Sequence, residues 1–195
     1  ILAFGLERFA PLDSMLVELA FAASNALISP VLTYGLLIFF ERLFNITTDL
    51  TLLELSNFDR PLLRELARKA PGTFNHSMTM GTIAETAAEK IGANSLLARV
   101  GAYYHDIGKT ISPQSFVENQ LNNQNLHENL APDESVAMIV RHVNEGIELA
   151  KRYKLPQELI DFIPMHHGTT VSNYFYEKAK ELYGEAKVDI NDYRY

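Results

Sequence analysis

Tyr104-His105-Asp106-Ile107-Gly108-Lys109 closes an apolar run that begins near Leu96. An imidazole and a carboxylate stand side by side there, with a glycine and a lysine behind them. The pair offers one nitrogen and two oxygens, and a carboxylate can bridge two metal ions. Neighbours on a helix differ in direction by about 100°, so the two side chains address different sides of one centre. Lys109 adds a positive charge suited to a phosphate. A single His-Asp pair is common on protein surfaces, and the other histidines decide what this one means.

The chain has six histidines, His76, His105, His127, His142, His166 and His167, and no cysteine to compete as a ligand. His76 follows the Pro71-Gly72 break, His142 falls inside a helical pattern, and His166-His167 form a tandem pair before Gly168. Taken singly, each reads as an ordinary surface or core histidine. Taken together, His76, His105, His142, His166, His167 and Asp106 sit on or at the ends of expected helices. Ligands from separate helices converging in a bundle are a recurrent way to build a two-metal site.

The wider pattern is helical throughout. No stretch alternates with the period of a strand, and no internal repeat appears, so the expected fold is all-α. Pro71-Gly72 is read as a break, with Thr73 or Asn75 capping a helix that runs to about Ile91 and carries His76 in its first turn. Met80, Ile83, Ala84, Ala87 and Ala88 are its expected core stripe. Asn94 or Ser95 caps the helix that delivers His105 and Asp106. Residues 110–131 read as an irregular, Asn-rich loop bordering the substrate cleft, with His127 as a loop residue able to contact substrate and not as a ligand. Pro132 opens a helix with an apolar stripe of Val136, Ile139, Val140, Val143, Ile147 and Ala150 beside His142. Pro156 starts the next, disturbed by Pro164 just before the histidine pair. Asn173 to Tyr183 is amphipathic and ends at Gly184.

The order His…His-Asp…His…His-His around His-Asp-Ile-Gly-Lys resembles the HD superfamily of metal-dependent phosphohydrolases. The stretches Ile46–Leu55, Pro61-Leu62-Leu63, Ala70–Ser77, Phe116-Val117-Glu118-Asn119-Gln120 and Met165-His166-His167-Gly168-Thr169 are similar to one branch of it, the seven-transmembrane HD proteins. Their cytoplasmic domain hydrolyses cyclic di-AMP. The resemblance runs from about Leu19 to the end. It implies an HD-domain helical bundle with one metal on His76, His105 and Asp106, and a second on Asp106, His142, His166 and His167. It implies Asp106 and Lys109 as catalytic groups, with Lys109, the Gly168 amide and Thr169 as phosphate contacts. A sulfur-free, nitrogen-rich set with a bridging carboxylate suits two divalent transition metals, iron or manganese above all. The superfamily has one more aspartate in a later helix. Asp189 and Asp192 lie in a polar tail and are not assigned to that role, so the helix is expected beyond Tyr195. Leu126 stands where the family often has proline. The implied activity is hydrolysis of cyclic di-AMP to the linear dinucleotide. Rival readings are a phosphohydrolase of another nucleotide, a non-catalytic membrane-bound nucleotide sensor, and a di-iron oxygenase.

Composition sets the remaining bounds. The 195 residues are 47% hydrophobic and 21% charged, which is globular and not disordered. The net charge of −7 argues against duplex nucleic acid as a partner. It does not oppose a small phosphate ligand, because two divalent cations would reverse the local sign. The first residue is Ile1, so the chain reads as a piece of a longer protein, and Glu7 to Glu18 read as a short loop around Pro11 and Asp13. From Leu19 to Phe40 no charge occurs, about 33 Å of helix, enough to cross a bilayer core. Arg42, Arg60, Arg64, Arg68 and Lys69 follow it, whereas only Arg8 precedes it, which places the C-terminal side in the cytoplasm. The expected organisation is a membrane-spanning part over 1–43, a juxtamembrane linker helix over 44–70 and an HD domain over 71–195. Homo-oligomerisation is left open.

Overall fold

The computed structural model describes residues 12–44, 46–120 and 125–195. The expected loop before Leu12 and the asparagines Asn122 and Asn123 lie outside them. Among the described residues every regular element is helical, apart from a single antiparallel bridge between Val171 and Arg194. The chain divides into two units, Ile1–Ile46 and Thr47–Tyr195.

The first unit is the helix α1 (Leu12–Phe44). The stretch expected as loop is already helical from Leu12. Glutamate is a good helix former, so Glu18 among apolar neighbours does not break the helix. Leu19, Phe21, Val31 and Leu36 point to different sides and all are exposed. Pro30 stands inside the helix, a position that membrane helices tolerate. The segment Ser14–Glu41 is long and apolar enough to cross a membrane.

The second unit is a bundle. Helices α2 (Asp49–Leu55), α3 (Pro61–Lys69), α5 (Ser95–Tyr104) and α7 (Gln157–Met165) surround Leu52, Leu63, Leu66, Val100, Tyr104, Ile107, Leu159 and Ile163. Each such aliphatic side chain, once buried, contributes about 1.5–3 kcal/mol. The Tyr104 hydroxyl donates to the Leu55 carbonyl at 2.8 Å, which satisfies a buried polar group and ties α5 to α2. The segment from Asp49 to Lys69, read from sequence as a juxtamembrane linker, thus supplies part of this core. A smaller cluster of Val136, Phe175, Ala179 and Tyr193 joins α6 (Pro132–Arg152), α8 (Asn173–Tyr183) and the C-terminal turn Ile190–Tyr193.

Helix α4 (Pro71–Lys90) departs from the sequence reading in two ways. It begins at Pro71 itself, with Ala70 as cap, so neither Thr73 nor Asn75 is its cap and His76 belongs to the second turn. Proline suits the first helical position because its missing N–H would be unpaired there anyway. Its buried residues are Thr73, Ser77, Gly81 and Ala88, while Met80 and Ile83 are exposed. Small residues win the inner face because α5 packs so close. A Cβ at Gly81 would sit 2.9 Å from Tyr103 Cδ1.

Short 3-10 turns follow α5, at Ile107–Thr110, Pro113–Ser115 and Val117–Asn119, with another at Leu126–Asn129 before α6. The first is wedged against α6 at Gly108. Any side chain there would overlap the His142 carbonyl and approach the Gly146 amide to 2.7 Å. That contact of backbone on backbone brings α6, and His142 on it, up to Asp106.

Candidate metal centre

Asp106 leaves α5 just after His105 and starts the 107–110 turn, its carbonyl accepting from the Lys109 amide at 3.1 Å. The turn folds Lys109 back, so that Nζ lies 2.9 Å from Asp106 Oδ2. His142 arrives from the middle of α6, and His166 and His167 from the end of α7. His76 comes from α4. The structure brings these histidines together around a carboxylate that is 2% exposed.

The side-chain geometry forms two overlapping sets. Ligand atoms of Asp106, His142, His166 and His167 lie within 4.8 Å of one another, and so do those of His76, His105 and Asp106. Asp106 is the shared member. Nε2 of His105 is 3.1 Å from Oδ2, and Nε2 of His142 and His166 are 3.4 and 3.5 Å from Oδ1. In each of these three rings Nδ1 donates to a backbone carbonyl one helical turn back: Ala102 at 2.7 Å, Ile139 at 2.6 Å and Ile163 at 2.7 Å. A carbonyl only accepts, so Nδ1 carries the proton, and in the neutral ring Nε2 presents a lone pair. This is how metal-ligating histidines are usually oriented.

The electrostatics point the same way. Burial works against a charged Asp106, yet its pKa lies well below the usual carboxylate range, with the Lys109 ammonium 2.9 Å from Oδ2. Oδ1 is nevertheless buried without a hydrogen-bond donor. His167 Nε2 faces His142 Nε2 at 3.3 Å, near the roughly 3 Å separating two nitrogen ligands on one ion with bonds of about 2.1 Å. Burial, then the neighbouring His166 and His142, push the His167 pKa down to about 3, so the ring is neutral at physiological pH. Burial and the neighbouring His105 lower His76 as well. Neutral rings turning lone pairs toward an ionised carboxylate repel it unless a cation lies between them, and these N/O donors fit a divalent transition metal.

Lys109 is 14% exposed along its side chain and sits between two carboxylates, Asp106 and Glu118, each at 2.9 Å. Burial disfavours its charge, but both carboxylates outweigh burial and hold its pKa above the ordinary lysine value. Glu118 is correspondingly lowered, against its own burial, mainly by Lys109.

The other sequence-derived candidates are not members of the two sets. Gly168 is in the left-handed region, with φ of 57°, and its amide donates to the Met165 carbonyl at 3.1 Å. Thr169 is exposed beside it, its carbonyl accepting from Arg194 at 2.8 Å. His127 does not border an open cleft: it is 7% exposed, donates from Nε2 to the Ser115 carbonyl at 2.8 Å and packs on Phe175. It is a strut under the loop. His127→Ala should cost about 1–3 kcal/mol of stability through the freed Ser115 carbonyl and the cavity. Metal content should stay unchanged, as checked by urea denaturation and metal analysis. Asp189 caps the turn that contains Asp192, and neither belongs to the two sets. Reasoning from sequence gave no role to Glu118 or to Tyr195. The Tyr195 ring stacks on His167 at 3.7 Å and 14°. The Phe116–Gln120 stretch had stood out only as part of a resemblance.

Comparison with known proteins agrees with this geometry. The sequence profile of the HD domain matches residues 73–190. The chain is 46% identical over 182 residues to the cyclic-di-AMP phosphodiesterase PgpH of Listeria monocytogenes, covering 93% of this chain and 25% of that protein. It is 50% identical over 153 residues to PgpH of Bacillus subtilis, covering 78% of this chain and 22% of that one. It therefore spans about a quarter of the length of these curated relatives. The crystal structure of the L. monocytogenes PgpH HD domain in complex with cyclic di-AMP superposes with a TM-score of 0.68 at 51% identity. It covers 72% of this chain and 64% of that one.

Proposed function

Because the chain belongs to the HD-domain family, we propose that it carries the catalytic part of a membrane-tethered phosphodiesterase hydrolysing cyclic di-AMP to the linear dinucleotide. One observation carries the reading. Five histidines gather with Asp106 in a domain 51% identical to one crystallised with that dinucleotide.

In this reading His76, His105 and Asp106 hold one divalent ion, and Asp106, His142, His166 and His167 hold the other. Iron or manganese suits the donors best. Such ions, when bound, supply Lewis acidity and lower the pKa of water. The chain's own residues do the rest. Neutral imidazoles, oriented through Nδ1, keep their lone pairs inward. Asp106 spans both sets and fixes their separation. Lys109 keeps a positive charge beside Asp106, where negative charge on phosphoryl oxygens would grow during attack. Thr169 and the Gly168 amide are the proposed phosphate contacts. The Gly168 amide would have to leave the Met165 carbonyl to serve, whereas Thr169 is exposed. Residues 1–43 are read as the membrane part and 71–195 as the HD domain, with 44–70 joining them while α2 and α3 complete the bundle core, and with the HD domain facing the cytoplasm by the positive-inside bias.

The test is a hydrolysis assay on the longer protein, loaded with manganese or iron, with chromatographic detection of products. Linear di-AMP should accumulate with time and enzyme concentration. Tight binding of cyclic di-AMP with no turnover under either metal would instead make the protein a sensor.

A further inference from the structure

We propose that Glu118 is a positioning residue for Lys109, holding its ammonium group beside Asp106 whatever charge the metal centre carries. The role of Lys109 toward phosphate rests on the phosphodiesterase reading; the linkage between Glu118 and Lys109 does not.

Glu118 belongs to neither ligand set, and its side chain is 31% exposed, yet one of its oxygens is held by two partners. Its Oε1 accepts from Lys109 Nζ at 2.9 Å and from Thr73 Oγ1 at 3.0 Å. Thr73 is fully buried. Its hydroxyl accepts from Asn119 Nδ2 at 2.8 Å, while its amide donates to Asn119 Oδ1 at 3.1 Å. The Val117–Asn119 turn is thereby docked on the first turn of α4. Gly72 makes the docking possible, since a Cβ there would overlap the Glu118 carbonyl. The Phe116 ring closes the enclosure, its centroid 4.8 Å from Nζ.

Charge explains why a second carboxylate is needed. Asp106 alone could hold the lysine in the free protein. Once Asp106 shares its charge with divalent cations, its pull on Lys109 falls and the cations repel the ammonium. A long, flexible lysine side chain would then swing out to water. Glu118 supplies an anion that the metal centre does not consume. Its anchor on Thr73 and Asn119 keeps that anion in place, and the ammonium stays where a phosphate must pass.

Glu118→Gln is the informative change. It keeps the shape and the accepting oxygen but removes the charge. Lysine acetylation of the full chain, read by mass spectrometry, should show Lys109 modified at least about fivefold faster in the variant than in wild type, since a charge-assisted hydrogen bond is lost. In the hydrolysis assay kcat should fall roughly 10- to 100-fold with KM within about threefold, the signature of an interaction made in the transition state. In a Lys109→Ala background the same change should cost less than about twofold, because Glu118 acts through Lys109. Metal content and melting temperature should match wild type. An equal kinetic loss in both backgrounds, unchanged Lys109 labelling, or loss of metal in Glu118→Gln would each overturn the proposal. If wild type shows no turnover at all, the phosphodiesterase reading fails by itself, and the labelling arm still decides whether Glu118 holds Lys109.

Discussion

Asp106→Ala is expected to empty both metal sites and to abolish hydrolysis while leaving the helical bundle folded. Asp106 is the one residue common to the two ligand sets, so no single histidine change should match it. The loss should exceed the roughly 10²–10³-fold cost of removing one transition-state donor, because the nucleophile and the charge stabilisation go together. The fold should survive for a specific reason. The counter-charge of Lys109 is not stranded, since Glu118 still pairs with it at 2.9 Å. The histidine rings remain anchored through Nδ1 to Ala102, Ile139 and Ile163. Metal analysis, product chromatography and far-UV circular dichroism on the same preparations check the three parts. Hydrolysis retained in the variant would refute the assignment of the site.

Gly108→Ala should be the most damaging conservative change outside the ligands. The added methyl meets the His142 carbonyl and the Gly146 amide. Both are backbone atoms of α6, which cannot yield as a side-chain tip can. Forcing the turn away should cost about 1–3 kcal/mol. The shift also carries His142 away from Asp106, and a displacement of about 1 Å at a reacting centre can cost on the order of 10²-fold in rate. The expected result is a lowered melting temperature with turnover reduced far more than stability alone explains. A variant with wild-type melting and wild-type turnover would show that α6 is free to move.

The two changes probe different levels of the same arrangement, and those levels were not equally visible in the sequence. The ligand types and their order could be read from His76, His105-Asp106, His142 and His166-His167, because metal chemistry restricts which side chains serve. The helices of the second unit from α3 onward followed from apolar spacing and from Pro132, Asn94 and Gly184 at their ends, whereas α2 falls in a stretch read only as part of the linker. The inner face of α4 did not. Met80 and Ile83 have the right spacing for a core, yet α5 lies too close for large side chains, and Thr73, Ser77 and Gly81 take their place. Glu118 was hidden for a related reason. Its partner Thr73 lies in a different element, and nothing local distinguishes this glutamate from one in solvent. His127 lies in the loop and outside the ligand sets as read, but it is not open to substrate, because a polar loop can still bury one ring.

The sequence by itself determined the all-helical class, the apolar segment able to cross a bilayer and the set of atoms available to hold metal ions. Those follow from periodicity, composition and ligand chemistry, which are properties of residues one at a time or at fixed short spacing. Only the tertiary structure decided that five imidazoles meet at one carboxylate, that Gly108 sets the distance of α6 and that Lys109 is held from two sides. These are consequences of which backbones can approach each other, and that is fixed by contacts between residues far apart in the chain.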